Sequence, residues 1–217
     1  MLAFTSCDVT PPFRCSDGLC QTRRMDHREL FHEAMQGTDA HVRTVTDADL
    51  SRATPCEGWT VADLLAHMIG QQDGWAAAVT DGDAPPSAYA PVPFTQAAWR
   101  ASADRLLHAF DGADLAATVV VRELTPRPLP APVVIGAQLL DTAVHGWDLA
   151  RALGRDHTPP EPVVAAVAAV AGPIPDDESR VTQGFFARAV GDGPADLSTW
   201  PGVLAHLGRD PGWQPPA

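Results

Sequence analysis

The most restrictive feature of this 217-residue sequence is one apolar segment, from about Val133 to Leu153, whose pattern predicts a helix that is hydrophobic on nearly every side. Its apolar positions cover most of a helical circumference: Ile135, Leu139, Leu140, Ala143, Val144, Trp147, Ala150 and Leu153. A helix of this kind is stable in water only when other elements cover it. The segment therefore predicts a fold in which further helices surround a central one.

Other segments have the spacing or composition of helices. They lie at about 27–46, 61–81, 99–112, 161–172, 179–190 and 198–207. The second of them follows Thr60, a good N-cap, with Asp63 as the acid of a capping box. The β-branched run Thr118–Val121 is compatible with a short strand or with an extended segment. Four long helices with little strand predict an all-α, up-and-down four-helix bundle.

The pattern divides the chain into three parts. They are an extension at 1–25, the four-helix bundle at 26–155, and a small helical C-terminal extension packed on the bundle at 156–217. The first part has no helical or strand period and contains Cys7, Cys15 and Cys20. Their irregular spacing favours a disordered extension over a metal or redox cluster.

Charge and hydropathy exclude several classes of partner. The chain has 15 basic residues, all of them Arg, against 27 acidic ones, for a formal net charge of −12. Phosphate backbones and anionic lipid surfaces are repelled by such a chain. No stretch reaches the roughly 18 uncharged apolar residues of a membrane span, and no long apolar leader is present. We expect a cytoplasmic monomer or homodimer that binds small molecules, with neither nucleic acid nor membrane as partner.

Three polar residues interrupt the central helix on one narrow stripe. Asp141, His145 and Asp148 are spaced i, i+4 and i+7, so they share a face. Buried carboxylates are costly unless a cation, hydrogen-bond donors or water compensates them. With His67 from the second long helix, Asp141 and His145 would make an open three-ligand metal site. The spacing alone more often indicates a simple hydrogen-bonded pair than a metal site. It is also compatible with carboxylates paired to arginines of neighbouring helices, in an interaction protein without metal.

Three phrases of the sequence carry a family resemblance. They are TPCEGWTVADLLAH at 54–67, VHGWDLARA at 144–152 and LAHLGRDP at 204–211. These phrases resemble the DinB-like metal-binding bundles related to mycothiol-dependent maleylpyruvate isomerase, and most closely the small actinobacterial metal-binding branch. The resemblance begins at about residue 27 and implies a DinB-like form of the predicted bundle.

The resemblance also implies a metal site and a chemistry. It places the metal on His67, Asp141 and His145, although the isomerase-type members have Glu where this chain has the shorter Asp141. Asp148 would then be an alternative ligand, or would hold His145 by its other ring nitrogen. The cofactor would be one divalent ion, zinc first, with nickel, iron, cobalt and manganese also compatible with the donor set.

The implied function is that of a metal-dependent enzyme of thiol chemistry. It would be an S-transferase or isomerase that joins a low-molecular-weight thiol such as mycothiol to an electrophilic substrate. The alternative is a non-catalytic binding module in which the metal only stabilises the bundle.

Four further residues adjoin the expected ligands. Trp59 and Trp147 are candidates to line a cofactor or substrate pocket, with bundle packing as the alternative. Arg151 could bind an anionic group, or pair with the carboxylate three residues before it. Cys56 is expected to be a plain buried cysteine, with a reactive thiol or a fourth ligand as the alternative.

Overall fold

The computed structural model describes residues 26–184, 186–191 and 193–216, so the expected extension at 1–25 and its three cysteines lie outside the described residues. More than half of the described residues lie in helices and the described strands form a single two-stranded sheet, which confirms the all-α, DinB-like fold. Its helices are α1 (His27–Val42), α2 (Val61–Asp81), α3 (Gln96–Gly112), α4 (Ala131–Ala152), α5 (Glu161–Ala171), α6 (Glu178–Gln183) and α7 (Trp200–His206). Two short antiparallel strands, β1 (Thr118–Val119) and β2 (Leu129–Pro130), lie just before α4.

Local chemistry explains where the helices begin and end. Thr60 and Asp63 form the expected capping box at the start of α2. Helix α1 is shorter than predicted, because the chain turns after Val42 and the Thr44 hydroxyl donates a hydrogen bond to a carbonyl of the last turn. Helix α6 is likewise shorter than the predicted segment at 179–190, since Gly184 ends it in the left-handed conformation at φ 75°.

Contacts between helices show the direction of each one. At their N-terminal ends α1 and α4 meet, where His27 Nδ1 lies 2.9 Å from the Pro132 carbonyl oxygen. Farther along both helices, the Thr38 hydroxyl lies 3.3 Å from the Thr142 carbonyl oxygen. The two helices are therefore parallel, whereas helices 1 and 4 of a strict up-and-down bundle run in opposite directions.

Helix α3 runs antiparallel to α1, because its first residue, Gln96, bonds the last carbonyl of α1 and Phe110 near its end packs on Phe31 near the start of α1. Helix α2 runs antiparallel to α4, since Trp59 just before α2 contacts His145 late in α4. The order is thus up, down, down, up. It corrects the up-and-down order within the confirmed all-α fold.

The segment at 82–95 explains this order. It returns along α2, with the Val92 amide bonded to the Ala66 carbonyl and the Tyr89 ring packed on Gly74, where a Cβ would lie 2.3 Å from the ring. An extended chain covers about 3.3 Å per residue against about 1.5 Å in a helix. The segment is therefore long enough to run back beside α2 and start α3 parallel to it.

Helix α4 lies at the centre of the fold, as its all-round apolar pattern predicted. All but a few of its residues are buried, and α1, α2 and α5 pack against it. Gly146 lets α1 approach closely, since a Cβ there would lie 2.3 Å from the Thr38 hydroxyl oxygen. Helix α7 packs on α5. The division of the chain at residue 155 stays a prediction.

No helix within the described part of the chain is long and apolar enough to cross a membrane.

Candidate metal centre

The antiparallel pairing of α2 and α4 brings three predicted site residues together. His67, Asp141 and His145 each offer a donor atom, and the three atoms lie within 4.8 Å of one another. His145 Nε2 is 3.4 Å from Asp141 Oδ1. The His67 and His145 rings meet edge to face, with centroids 5.3 Å apart and planes at 81°. One small volume therefore faces two imidazoles and one carboxylate.

This donor set fits a divalent ion. Two imidazole nitrogens and one carboxylate oxygen suit zinc and its neighbours and leave a position for another ligand. Asp141 and His145 are mostly buried, with side chains 28% and 10% exposed. That an ion binds, and which ion, stay predictions.

Electrostatics at the three residues favour a cation. Burial lowers the pKa of His67, and the nearby Asp141 carboxylate only partly opposes this effect, so the ring is neutral and offers a lone pair near neutral pH. Burial also disfavours charge on His145, but Asp141 and Asp148 outweigh it and raise its pKa well above the ordinary value. Burial would raise the pKa of Asp141, yet the two histidines lower it. The carboxylates therefore favour a positive charge at this point. In the absence of metal, the proton on His145 supplies that charge.

Trp59 covers one side of the site. Its ring lies 4.9 Å from that of His67, edge to face, and stacks 6.3 Å from that of His145 at 21°. The other two residues predicted to bind a cofactor lie differently. Trp147 is buried in the hydrophobic core, and Arg151 donates hydrogen bonds to the Trp213 carbonyl and to Asp156. A role of these three in binding a cofactor stays a prediction.

Asp148 lies behind His145 and is completely buried. Its Oδ2 accepts a hydrogen bond from His145 Nδ1 at 2.9 Å. It also pairs with Arg209, whose Nη2 is 3.1 Å away. Burial would raise the pKa of Asp148, but Arg209 and His145 lower it to about 2. The structure thus places Asp148 on the far nitrogen of His145.

Sequence reasoning did not single out Arg209. The signal available was the need of a buried carboxylate for a cation in a chain whose basic residues are all Arg. Nothing in the spacing selects one of the 15, because Arg209 is 61 residues from Asp148 along the chain.

Glu123 is a second residue that the sequence did not indicate. Its Oε1 accepts a hydrogen bond from Gln71 at 2.9 Å, and Gln71 in turn accepts one from Trp75. Gln71 is one helical turn beyond His67, on the same face of α2. Glu123 is exposed as a residue, but its carboxyl is partly shielded from water where it meets Gln71. This partial desolvation and the charge of Asp141 raise the pKa of Glu123, and the Gln71 hydrogen bond opposes them. A carboxyl group that retains its proton more readily than usual is therefore electrostatically coupled to the candidate centre.

The fold and the site define a helical bundle whose two central helices present two histidines and an acid to one point. A family model described as the mycothiol maleylpyruvate isomerase N-terminal domain matches residues 31–150. The chain belongs to this family. The matched segment includes His67, Asp141, His145 and Asp148 but ends before Arg209.

Relatives and solved structures are similar to parts of this chain. Two uncharacterized proteins of Mycobacterium tuberculosis, Rv0738 and MT0763, are each 34% identical in an alignment of 152 residues that covers 66% of this chain and 79% of theirs. Crystal structures of the mycothiol-dependent maleylpyruvate isomerase and of a mutant of it each match with a TM-score of 0.49 and 16% identity. These two matches cover 67% of this chain and 68% of the isomerase chain.

Proposed function

We propose that this protein is a divalent-metal-dependent enzyme of thiol chemistry, an isomerase or S-transferase that uses a low-molecular-weight thiol such as mycothiol. One observation carries the proposal: His67, Asp141 and His145 converge from two helices with donor atoms within 4.8 Å. Membership in the mycothiol maleylpyruvate isomerase family supports the thiol and the isomerase class.

His67, Asp141 and His145 would hold the ion. A divalent ion bound there would accept the thiol sulfur and stabilise it as a thiolate, the nucleophilic form, near neutral pH. Asp148 keeps the Nδ1 side of His145 occupied, so that Nε2 faces the other two donors. Trp59 shields both imidazole rings from water on its side.

Glu123 is proposed to carry a proton to or from the substrate. Addition of a thiolate to an electrophilic carbon leaves negative charge on the substrate, and a nearby acid can neutralise it. The raised pKa of Glu123 means that its carboxyl retains a proton at higher pH than an ordinary glutamate. Gln71 holds one oxygen of this carboxyl in place.

The first experiment measures the metal and the thiol separately. The purified protein is analysed for metal content, and the cobalt-substituted protein is titrated with mycothiol. We expect about one metal ion per chain and a new near-ultraviolet band from sulfur bound to cobalt. His67→Ala and His145→Ala should lose both signals. His32→Ala is the matched control, because His32 lies at the surface and its ring is hydrogen-bonded to Asp111.

The outcomes separate the functions. Full metal content in His67→Ala and His145→Ala would exclude this site. Metal binding without a thiol band, together with a melting temperature that falls on chelation, would favour the non-catalytic, metal-stabilised module. With both signals present, incubation with α,β-unsaturated electrophiles and mass spectrometry of the thiol adducts distinguishes transfer from isomerisation.

A further inference from the structure

Arg209 reaches the candidate site from outside the segment that matches the family model. Its Nη2 lies 3.1 Å from Asp148 Oδ2 and its Nε 3.3 Å from Oδ1, so the guanidinium holds both carboxylate oxygens. The Arg209 side chain is 10% exposed and that of Asp148 is fully buried. We infer that Arg209 is a positioning residue: it fixes the Asp148 carboxylate against Nδ1 of His145 and thereby aims Nε2 of His145 into the site. The consequence for metal affinity rests on the proposed function.

The two nitrogens of His145 have different partners. Nδ1 is 2.9 Å from Asp148 Oδ2, and Nε2 is 3.4 Å from Asp141 Oδ1. An imidazole presents one nitrogen to a ligand reliably only when a hydrogen bond fixes the other. A carboxylate that can rotate provides no such constraint. The guanidinium of Arg209 prevents this rotation, because turning the Asp148 carboxylate would break two charge-assisted hydrogen bonds.

The same contacts argue against a second ion behind His145. Cys56, His145 and Asp148 also offer three donor atoms within 4.8 Å of one another. Arg209 Nη2, however, lies 3.3 Å from Cys56 Sγ and 3.1 Å from Asp148 Oδ2. The guanidinium charge is thus already where a metal cation would sit. Cys56 Sγ itself is 3.2 Å from Asp148 Oδ2, so the thiol adds a further contact to the same oxygen.

The turn after α7 directs Arg209 to α4. Gly208 is left-handed at φ 78°, and a Cβ there would lie 2.7 Å from the Ala187 carbonyl oxygen. The Arg209 amide bonds the Leu204 carbonyl at 2.9 Å, which ends the helix, and Nη1 lies 3.3 Å from the Leu207 carbonyl. The backbone and the side chain are both held, which a positioning role requires. The C-terminal segment therefore contributes to a site whose other residues lie within 31–150.

The test compares Arg209→Met with Arg180→Met. Arg180 is a matched control, because it is also a buried arginine of the C-terminal region but bonds backbone carbonyls such as those of Pro175 and Ile174. In protein labelled with ¹⁵N-histidine, the Nδ1 proton of His145 should be protected from exchange with water in the wild type. Arg209→Met should abolish this protection and Arg180→Met should retain it, even though both variants lower the melting temperature.

A double-mutant cycle separates positioning from general destabilisation. We expect Arg209→Met and Asp148→Asn each to weaken zinc affinity about 10- to 100-fold, measured in competition with a chelator. The double variant should be no weaker than Asp148→Asn alone, because Arg209 acts through Asp148. Additive losses would overturn the inference. If Arg209→Met does not fold, Arg209→Lys, which retains the charge without the fork, is used in its place with the same expectations.

The two proposals fail separately. If the wild type binds no metal, the proposed function is contradicted. The exchange of the His145 Nδ1 proton with water still tests the role of Arg209 in that case. If the wild type binds metal but the His145 Nδ1 proton stays protected from exchange in Arg209→Met, only the positioning role is contradicted.

Discussion

Asp148 should make folding stability depend on pH in a range that can be calculated. Its pKa falls from an ordinary 3.8 to about 2 in the fold, chiefly because Arg209 and the His145 hydrogen bond outweigh its burial. At about 1.4 kcal/mol per pH unit, its ionised form contributes about 2.5 kcal/mol to the free energy of unfolding. Because the folded-state pKa is the lower one, this contribution is fully present above the unfolded pKa and lost as pH falls toward about 2. About 1 kcal/mol is lost by about pH 3.

The measurement is the free energy of unfolding in urea at about pH 5, 4 and 3, for metal-free wild type and Asp148→Asn. The variant should be less stable at every pH, since it leaves the Arg209 charge buried without a carboxylate. The difference in the free energy of unfolding between wild type and Asp148→Asn should narrow by about 1 kcal/mol between about pH 5 and 3. Asp73→Asn, which breaks a surface pair with Arg105, is the control, and its whole effect on stability should be small because exposed ion pairs contribute only about 0–1 kcal/mol. A constant gap for Asp148→Asn would refute the reasoning.

Three further predictions concern the site and the packing of α4. His67→Ala or His145→Ala should abolish metal binding, because each removes an imidazole from a three-ligand site; elemental analysis against His32→Ala checks this. Asp141→Ala should lose metal as the histidine variants do, whereas Asp141→Glu should retain it. Isothermal titration with zinc checks this, and equal binding by the two variants would contradict the assignment of Asp141 as a ligand. Gly146→Ala should destabilise the protein by about 1 to 3 kcal/mol, because its Cβ would lie 2.3 Å from the Thr38 hydroxyl oxygen. Thr38→Ala in the same chain should restore part of this loss in urea unfolding, and no restoration would point to another cause.

The sequence predicted those features that depend on local pattern. The all-round apolar helix at 133–153 indicated a central element, and the spacing of Asp141, His145 and Asp148 placed them on one stripe. The apolar helix and the polar stripe are both found in α4. The proximity of His67 was implied by the family resemblance rather than by spacing, since contact across helices cannot be read from one helix.

Features that depend on long-range packing were not predictable. The direction of α3 follows from the path of 82–95, which requires the Tyr89 ring to pack on a glycine of α2. The proposed roles of Arg209 and Glu123 are based on contacts between segments far apart in the chain. Neither has a periodic neighbour that would distinguish it from other charged residues.

The position of Arg209 more than 50 residues after α4 has a consequence for synthesis on the ribosome. Chains emerge at about 5–20 residues per second, N-terminus first, so α1 to α4 leave the exit tunnel well before Arg209 does. During that interval the Asp148 carboxylate has no guanidinium partner, and in the closed bundle it would keep the His145 hydrogen bond but lack the two contacts that hold both of its oxygens. We therefore expect nascent chains that end before residue 209 to keep α4 loosely packed or to recruit a substitute cation. Final closure of the bundle around α4 would then wait for the segment that carries Arg209.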